Sequence, residues 1–592
     1  MNRPYQQLVG NYLVERVRTL HCDRAARLHA LRTRREAEHY QTEVRHKIAA
    51  AFGKLPARTP LNPLTTGHIT RRGYHIEKVA FTSRPGCQVT ANLYVPAQCN
   101  RPLPAILVGC GHARDGKTHP RYQEACQRLV QAGFVTLIFD PFSQGDRNQP
   151  YHANCVHAHS QLGKQLELHG EFFGAWRMWD SRRALDYLLS RPEVDPQQVG
   201  MTGNSGGGTD TTWLWPQDDR LRMAAPSCFL TTFLHNLENE LPSDAEQYPP
   251  GILGAGLELA DFFIARAPAP VLLLGQKYDF FDRRGFQEIG AEVKRFYRLF
   301  GAEHNVHTFL GKHPHGFYPD VQQAMVKFFC RQTGRRPVRP ARIVVETAAT
   351  LHVLTPQPIQ LPAVTGHRRL TKARLVRLLR LPARVARPHY RILRPQAGVA
   401  RYAVETETNI RVILRKVGAK GEPLESLNVE EIVHLHVPHF AAETEPRPRR
   451  HPQYVVDLRG LGESAPEAEQ DFFNPVGLDY MHHGFHLLLG ESYFGRRVHD
   501  LVTVLNLLVA EGAREVHLSG RGQGALLALF AARLHPHVKH TTLAQLPRSF
   551  SDCAGGPAAG FPRGILAVTD IPDCLRSLGR AVTVRATAKS HL

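Results

Sequence analysis

The chain has 592 residues, 42% of them hydrophobic, which is enough for more than one domain with a sizeable core. Its formal net charge is +21, and much of the excess lies between Arg331 and Arg394, where Glu346 is the only acid and prolines interrupt the arginines. That is a linker composition and excludes a nucleic-acid recognition fold as the source of the charge. The 10 cysteines contain no CxxC pair, which excludes zinc-ribbon spacing, and no apolar run of about 18 residues is present to span a membrane.

Residues 1–66 read as a helical N-terminal extension, with Leu8, Val9, Tyr12, Leu13, Val17 and Leu20 at helix spacing between Tyr5 and Phe52. It is expected to pack on the sheet that follows or on a second subunit. Arg71 to Pro96 reads as paired strands, alternating in Val89-Thr90-Ala91-Asn92-Leu93-Tyr94-Val95. Pro104 to Val108 is then a buried strand running into Gly109-Cys110-Gly111-His112. Tyr122 to Gln131 has helical periodicity, Gly133 stops it, and Phe134 to Phe139 is a second buried strand ending at Asp140-Pro141. Strand, helix, strand implies a parallel sheet with right-handed crossovers.

A helix from Asp180 to Leu189 and the apolar Val199-Gly200-Met201-Thr202 lead to Gly203-Asn204-Ser205-Gly206-Gly207. This matches the G-x-S-x-G turn that exposes a serine hydroxyl between a strand and a helix, and Ser205 is the candidate nucleophile. Ala269 to Gly275 is a late strand with Asp279 and Asp282 just past it. Asp279 is the preferred acid because it sits nearer the strand end, and Asp282 is the alternative. Val306 to Leu310 gives the next strand, followed by His313-Pro314-His315-Gly316-Phe317. His315 is the candidate base and His313 its rival. The order serine, aspartate, histidine is that of an α/β-hydrolase.

The segment from about Tyr74 to Cys330 resembles the bacterial acetyl xylan esterase and dienelactone hydrolase-like branch of the α/β-hydrolases. The motifs that carry the likeness are Val89-Thr90-Ala91-Asn92-Leu93-Tyr94-Val95-Pro96, Gly111-His112, Asp140-Pro141, Val194-Asp195-Pro196, Gly203 to Thr209, Pro226-Ser227-Cys228 and His315-Gly316-Phe317. The resemblance implies an α/β-hydrolase fold over residues 67–332, a Ser205, Asp279, His315 triad, and oxyanion donors at Gly206, Gly111 and His112. It also implies a small-acyl ester, such as an acetylated carbohydrate, as substrate.

Residues 333–400 read as a basic Pro/Arg-rich linker in which Leu370 to Leu381 forms a short amphipathic helix. Residues 401–592 partly repeat the first half as a shortened, catalytically degenerate α/β-hydrolase-like domain. Tyr454 to Gly462 parallels the strand ending at Asp140, Arg496 to Ala510 the helix before the serine turn, and Glu515 to Ser519 the strand leading into it. In Gly520-Arg521-Gly522-Gln523-Gly524 the glycine frame persists but Gly522 stands at the serine position, so a nucleophile is missing. No His-Gly loop follows Ile565 to Asp570.

Two histidine groups, His152, His157 and His159 in a polar loop and His482, His483 and His486 before a helix, lack a recognised ligand spacing, so no metal and no cofactor are expected. Glu238 to Gln247, with Asp244, Glu246 and Gln247, falls where lids insert in this fold, its acids either selecting substrate or forming a solvated lid face, and Cys110 and Cys228 read as buried packing residues near the pocket. The expected partner is a small-molecule or carbohydrate ester, without nucleic acid or a membrane span, and a homo-oligomer remains open. No signal peptide is readable, which favours the cytoplasm over export. The competing functions are a prolyl-oligopeptidase-like serine peptidase and a non-catalytic tandem scaffold.

Overall fold

The computed structural model describes the chain except residues 1–4, 149–154, 242, 338–341, 360, 362–369, 383–387, 397–398, 418–426, 440–451, 467–476, 556–559 and 586–592. Two compact units result. The first holds Val17–Gly163 and Phe172–Leu361, and the second Met1–Arg16, Lys164–Glu171 and Pro362–Leu592.

The sheet of the first unit has nine strands: β1 (Leu64–Arg71), β2 (Tyr74–Arg84), β3 (Cys87–Pro96), β4 (Leu103–Gly109), β5 (Val135–Phe139), β6 (Val194–Asn204), β7 (Met223–Ser227), β8 (Val271–Tyr278) and β9 (Val306–Pro314). Their order is β1-β2-β3-β5-β4-β6-β7-β8-β9. The first three pair antiparallel, β3 joins β5 antiparallel, and from β5 to β9 every pairing is parallel. All residues of β4, β5 and β7 are buried, as expected for strands covered by helices on both faces. On one face Leu129 of the helix Pro120–Gln131 and Met325 and Phe329 of the helix Pro319–Gln332 pack on Ile106, Val108 and Ile138.

The N-terminal extension packs within this unit from Val17 onward. Arg24 forms ion pairs with Asp261 at 2.6 Å and Glu292 at 2.8 Å, Tyr40 donates to Asp261 at 2.9 Å, and Phe52 closes on Phe172, Trp213 and Phe262. A capping box of Thr33 and Glu36 starts its second helix, Arg34–Phe52.

The linker reading of 333–400 needs correction. Its first part is strapped to the helix Pro120–Gln131, where Gln123 and Gln127, one turn apart, each exchange two amide hydrogen bonds with the main chain of Glu346 and Val344 at 2.7–3.0 Å. Leu351 then enters the core. Composition cannot register such a strap, because its partners lie more than 200 residues upstream. Arg339, Arg368, Arg369, Arg384 and Arg387 of this stretch lie outside the described residues.

The second unit has an eight-stranded sheet: β10 (His389–Gln396), β11 (Val399–Glu407), β12 (Ile410–Val417), β13 (Ile432–Val437), β14 (Gln453–Asp457), β15 (Glu515–Arg521), β16 (Val538–Ala544) and β17 (Val582–Arg585). The order β10-β11-β12-β14-β13-β15-β16-β17 repeats that of β1 to β8, strand for strand, and has no counterpart of β9 among the described residues. In the 3₁₀ turn Ile565–Ala567 the side chains of Ile565 and Leu566 are buried in the core, and Val582–Arg585 is the last described strand. His591, in the tail beyond it, lies outside the described residues. The basic helix forms at Lys372–Leu378, and Leu370, Leu375 and Leu379 sink into the core of this unit.

His482, His483 and His486 do not converge. His486 Nδ1 donates to the carbonyl of His482 at 2.7 Å and its ring stacks on Tyr493, while His483 binds Glu167 at 2.8 Å. Burial lowers His482 to about 4 and His486 to about 3. Their unfolded values lie near 6.5. The stability that neutral burial contributes is therefore complete above about pH 6.5 and is lost as pH falls toward the folded values, by a few kcal/mol in all. Unfolding midpoints measured from pH 7 to pH 4 should fall less steeply in His486→Gln than in the parent, and parallel curves would rule this out.

Candidate active site

Strand β6 ends at Asn204 and a helix runs over Gly206–Leu214, so Ser205 alone makes the turn, at φ 58° and ψ −121°. A side chain at positive φ carries strain that surrounding structure must hold. Here the Ser205 N–H donates to the carbonyl of Ser227 at 2.8 Å, and its own carbonyl accepts from the Thr209 N–H at 2.9 Å. Close packing under the turn requires glycine: a Cβ on Gly207 would stand 2.1 Å from the carbonyl oxygen of Gly109. Gly207→Ala is expected to cost on the order of 3 kcal/mol. A thermal midpoint unchanged by it would show that the loop after β4 can yield.

Asp279 follows β8 and His315 follows β9. His315 Nδ1 lies 2.9 Å from Asp279 Oδ1, which also accepts the Phe281 N–H at 3.1 Å. Phe280 stacks on the imidazole with centroids 4.2 Å apart and fixes its plane. With Nδ1 held by the carboxylate, Nε2 is the nitrogen left for chemistry. Phe317 packs on Tyr122, whose hydroxyl reaches the carbonyl of Asn204 at 3.4 Å, next to Ser205. Serine, aspartate and histidine thus all follow the C-terminal ends of parallel strands of one sheet, where open α/β sheets gather functional groups.

The alternatives lie elsewhere. Asp282 caps the helix Arg283–Arg298, accepting the Arg284 N–H at 2.8 Å, and hydrogen bonds from Arg284 lower its carboxyl to about 2. His313 stacks on Tyr318 and lies 3.9 Å from Asp320. Neither meets the other or the Ser205 turn in any described contact. Cys228 Sγ, at 3.6 Å from the carbonyl of Gly316, lies against the Asp279–His315 pair, and burial pushes its thiol far up, as it does that of Cys110 in the core.

One expected oxyanion donor is committed. The Gly111 N–H donates to the Tyr122 hydroxyl at 2.5 Å, because the loop turns that amide toward the helix rather than toward the pocket. Among the described residues, the amides of Gly206 and His112 donate no hydrogen bond. That leaves them able to receive a substrate oxygen.

Two further readings change. His157 and His159 belong to the helix Cys155–Leu168 and not to a loop, and His152 lies outside the described residues. Asp244 and Glu246 are buried rather than solvated, at 5% and 0% exposure. Asp244 opens the 3₁₀ turn Ala245–Gln247, and its Oδ2 lies 2.5 Å from His112 Nε2 and 2.6 Å from His159 Nδ1. Burial opposes the Asp244 charge, but the two imidazoles outweigh it and hold the carboxyl below its usual range. Burial also lowers His112. Glu246 is ion-paired to Arg177, which also binds Asp210 at 2.8 Å. Arg177, Asp210 and Tyr122 carry no linear signature, since each belongs to a helix whose periodicity accounts for it.

Residues 9–214 match the model of the Abhydrolase family. YtaP of Bacillus subtilis (strain 168) is 26% identical over 199 residues, which is 32% of this chain and 64% of YtaP. The uncharacterized peptidase YuxL of the same organism is 27% identical over 153 residues, 25% of this chain and 21% of YuxL. The chain thus spans less than two thirds of either relative. Among solved structures, the methylesterase BT1017 aligns with a TM-score of 0.45 at 20% identity, covering 58% of this chain and 73% of that one.

Proposed function

We propose that this α/β-hydrolase is a serine carboxylic-ester hydrolase that removes a small acyl group, such as acetyl, from a carbohydrate or similar alcohol. The observation that carries the reading is the Asp279–His315 pair, 2.9 Å apart, on the same sheet edge as a serine held in a strained strand-to-helix turn. An ester rather than an amide follows from the motifs shared with the acetyl xylan esterase-like branch.

In this reading His315 Nε2 takes the proton of the Ser205 hydroxyl as its oxygen attacks the ester carbonyl. The oxyanion then accepts hydrogen bonds from the Gly206 and His112 amides. Asp279 holds the tautomer and stabilises the imidazolium. The imidazolium protonates the departing alcohol, and water activated by the same nitrogen attacks the acyl-enzyme, releasing the carboxylic acid and free Ser205. Phe280, stacked on the imidazole, keeps the ring in the plane in which Nε2 acts.

The experiment is labelling with a fluorophosphonate probe, followed by peptide mapping, together with rates on a phenyl acetate and on a prolyl amide. Label on Ser205 and hydrolysis of the acetate are expected. Label with faster amide cleavage would make the chain a peptidase, and no label at all would make it a binding scaffold.

A further inference from the structure

Three segments far apart in sequence converge beside the Ser205 turn. His112 comes from the loop after β4, His159 from the helix Cys155–Leu168, and Asp244 and Glu246 from the 3₁₀ turn Ala245–Gln247 and its cap. One donor atom from each of the four lies within 4.8 Å of all the others. The distances are 3.2 Å between His112 Nε2 and His159 Nδ1, 2.5 and 2.6 Å from these to Asp244 Oδ2, and 3.8 and 3.7 Å to the Glu246 oxygens. A tetrahedral ion with bonds of about 2.0 Å has ligand–ligand edges of about 3.3 Å, which these values bracket.

Hydrogen accounting shows what the cluster lacks. His159 Nε2 lies 2.8 Å from the carbonyl of Phe142, which can only accept, so Nε2 carries the hydrogen. Its other ring nitrogen, Nδ1, lies 2.6 Å from Asp244 Oδ2. Both Glu246 oxygens are buried, and apart from the ion pair with Arg177 they have no hydrogen-bond partner among the described residues. The guanidinium of Arg177 is shared between two buried carboxyl groups, Asp210 and Glu246. A cation among the four donor atoms would be coordinated by His112, His159, Asp244 and Glu246 together.

We propose that His112, His159, Asp244 and Glu246 bind one divalent first-row transition ion, for which Zn²⁺ suits the two-nitrogen, two-oxygen set best. The outer partners that such a site needs are in place. The Phe142 carbonyl orients His159, the Ala245 N–H donates to Asp244 Oδ1 at 2.5 Å, and Arg177 holds Glu246. Four protein ligands leave no open position, so the ion is a clamp joining the 112 loop to the 244–247 turn. Its location is specific: a Cβ on Gly206 would stand 3.0 Å from Glu246 Oε1 and 3.1 Å from the His112 ring. The clamp therefore forms the wall next to the residue that follows the nucleophile. This proposal is independent of the ester-hydrolysis reading.

The test uses the full chain without a histidine tag, loaded with Zn²⁺, freed of excess and measured for metal by mass spectrometry, with Co²⁺ loading read by its tetrahedral visible bands. About one ion per chain is expected, together with the Co²⁺ bands. His159→Gln and Asp244→Asn should each weaken the Zn²⁺ Kd at least about tenfold. Ser205→Ala and His313→Ala should retain the ion. Since a ligand variant can fail to fold, Glu246→Gln supplies a milder second change, and Zn²⁺ titration of the parent chain gives an independent readout. No bound ion in the parent, or equal content in the parent and folded ligand variants, overturns the site. Loss of esterase turnover in Ser205→Ala with metal retained separates this proposal from the catalytic one.

Discussion

Ser205→Ala is expected to lower turnover of a short acyl ester by on the order of 10⁴-fold or more and to abolish fluorophosphonate labelling, with the fold intact. Alanine keeps the Cβ that serine already holds at φ 58°, so the turn gains no new strain. The bonds that hold it, from the Ser205 N–H to Ser227 and from Thr209 to the Ser205 carbonyl, use only main-chain atoms of residue 205. What disappears is the hydroxyl. Gly522→Ser in that background should restore nothing. The second turn copies the first, with Gly522 at φ 52° and ψ −117°, but a Cβ there would stand 2.4 Å from the ring of His439, and no Asp279–His315 equivalent is present among the described residues. Near-parental turnover in Ser205→Ala would move the nucleophile elsewhere.

The second large effect belongs to the acid. Asp279→Asn should reduce kcat by roughly 10³- to 10⁴-fold, because an amide in place of the carboxylate permits the wrong tautomer of His315 and leaves an imidazolium unsupported. Asp282→Asn should change kcat less than about twofold, since asparagine preserves the helix cap and, among the described residues, the Asp282 carboxylate bonds to Arg284 and Asn239 rather than to a histidine. The same logic separates the histidines. His315→Ala should remove most activity, while His313→Ala keeps it. Equal losses in Asp279→Asn and Asp282→Asn would mean that the 2.9 Å pair does not orient the base.

Local sequence was sufficient wherever the signal was local. Glycine spacing around Ser205 marks the turn because only small residues fit where Gly207 meets Gly109, and uninterrupted apolar runs mark β4, β5 and β8 because helices cover both their faces. The missing nucleophile at Gly522 is equally legible, since one position in a short frame determines it.

Burial and partnership between distant segments were decided only by the tertiary structure. The residues 342–351 have linker composition, yet Gln123 and Gln127 give their main chain the hydrogen bonds that order it. The Gly111 amide lies in an oxyanion-type loop, yet Tyr122 occupies it. Asp244 and Glu246 look like a charged lid face, but they point inward because His112, His159 and Arg177 offer compensating groups. Sequence by itself determined the fold class and the position of the glycine-framed turn at Ser205, because periodicity and turn sterics act over a few residues. The choice of Asp279 over Asp282, of His315 over His313, and the gathering of the four donor atoms depended on contacts closed by the sheet, which no spacing along the chain encodes.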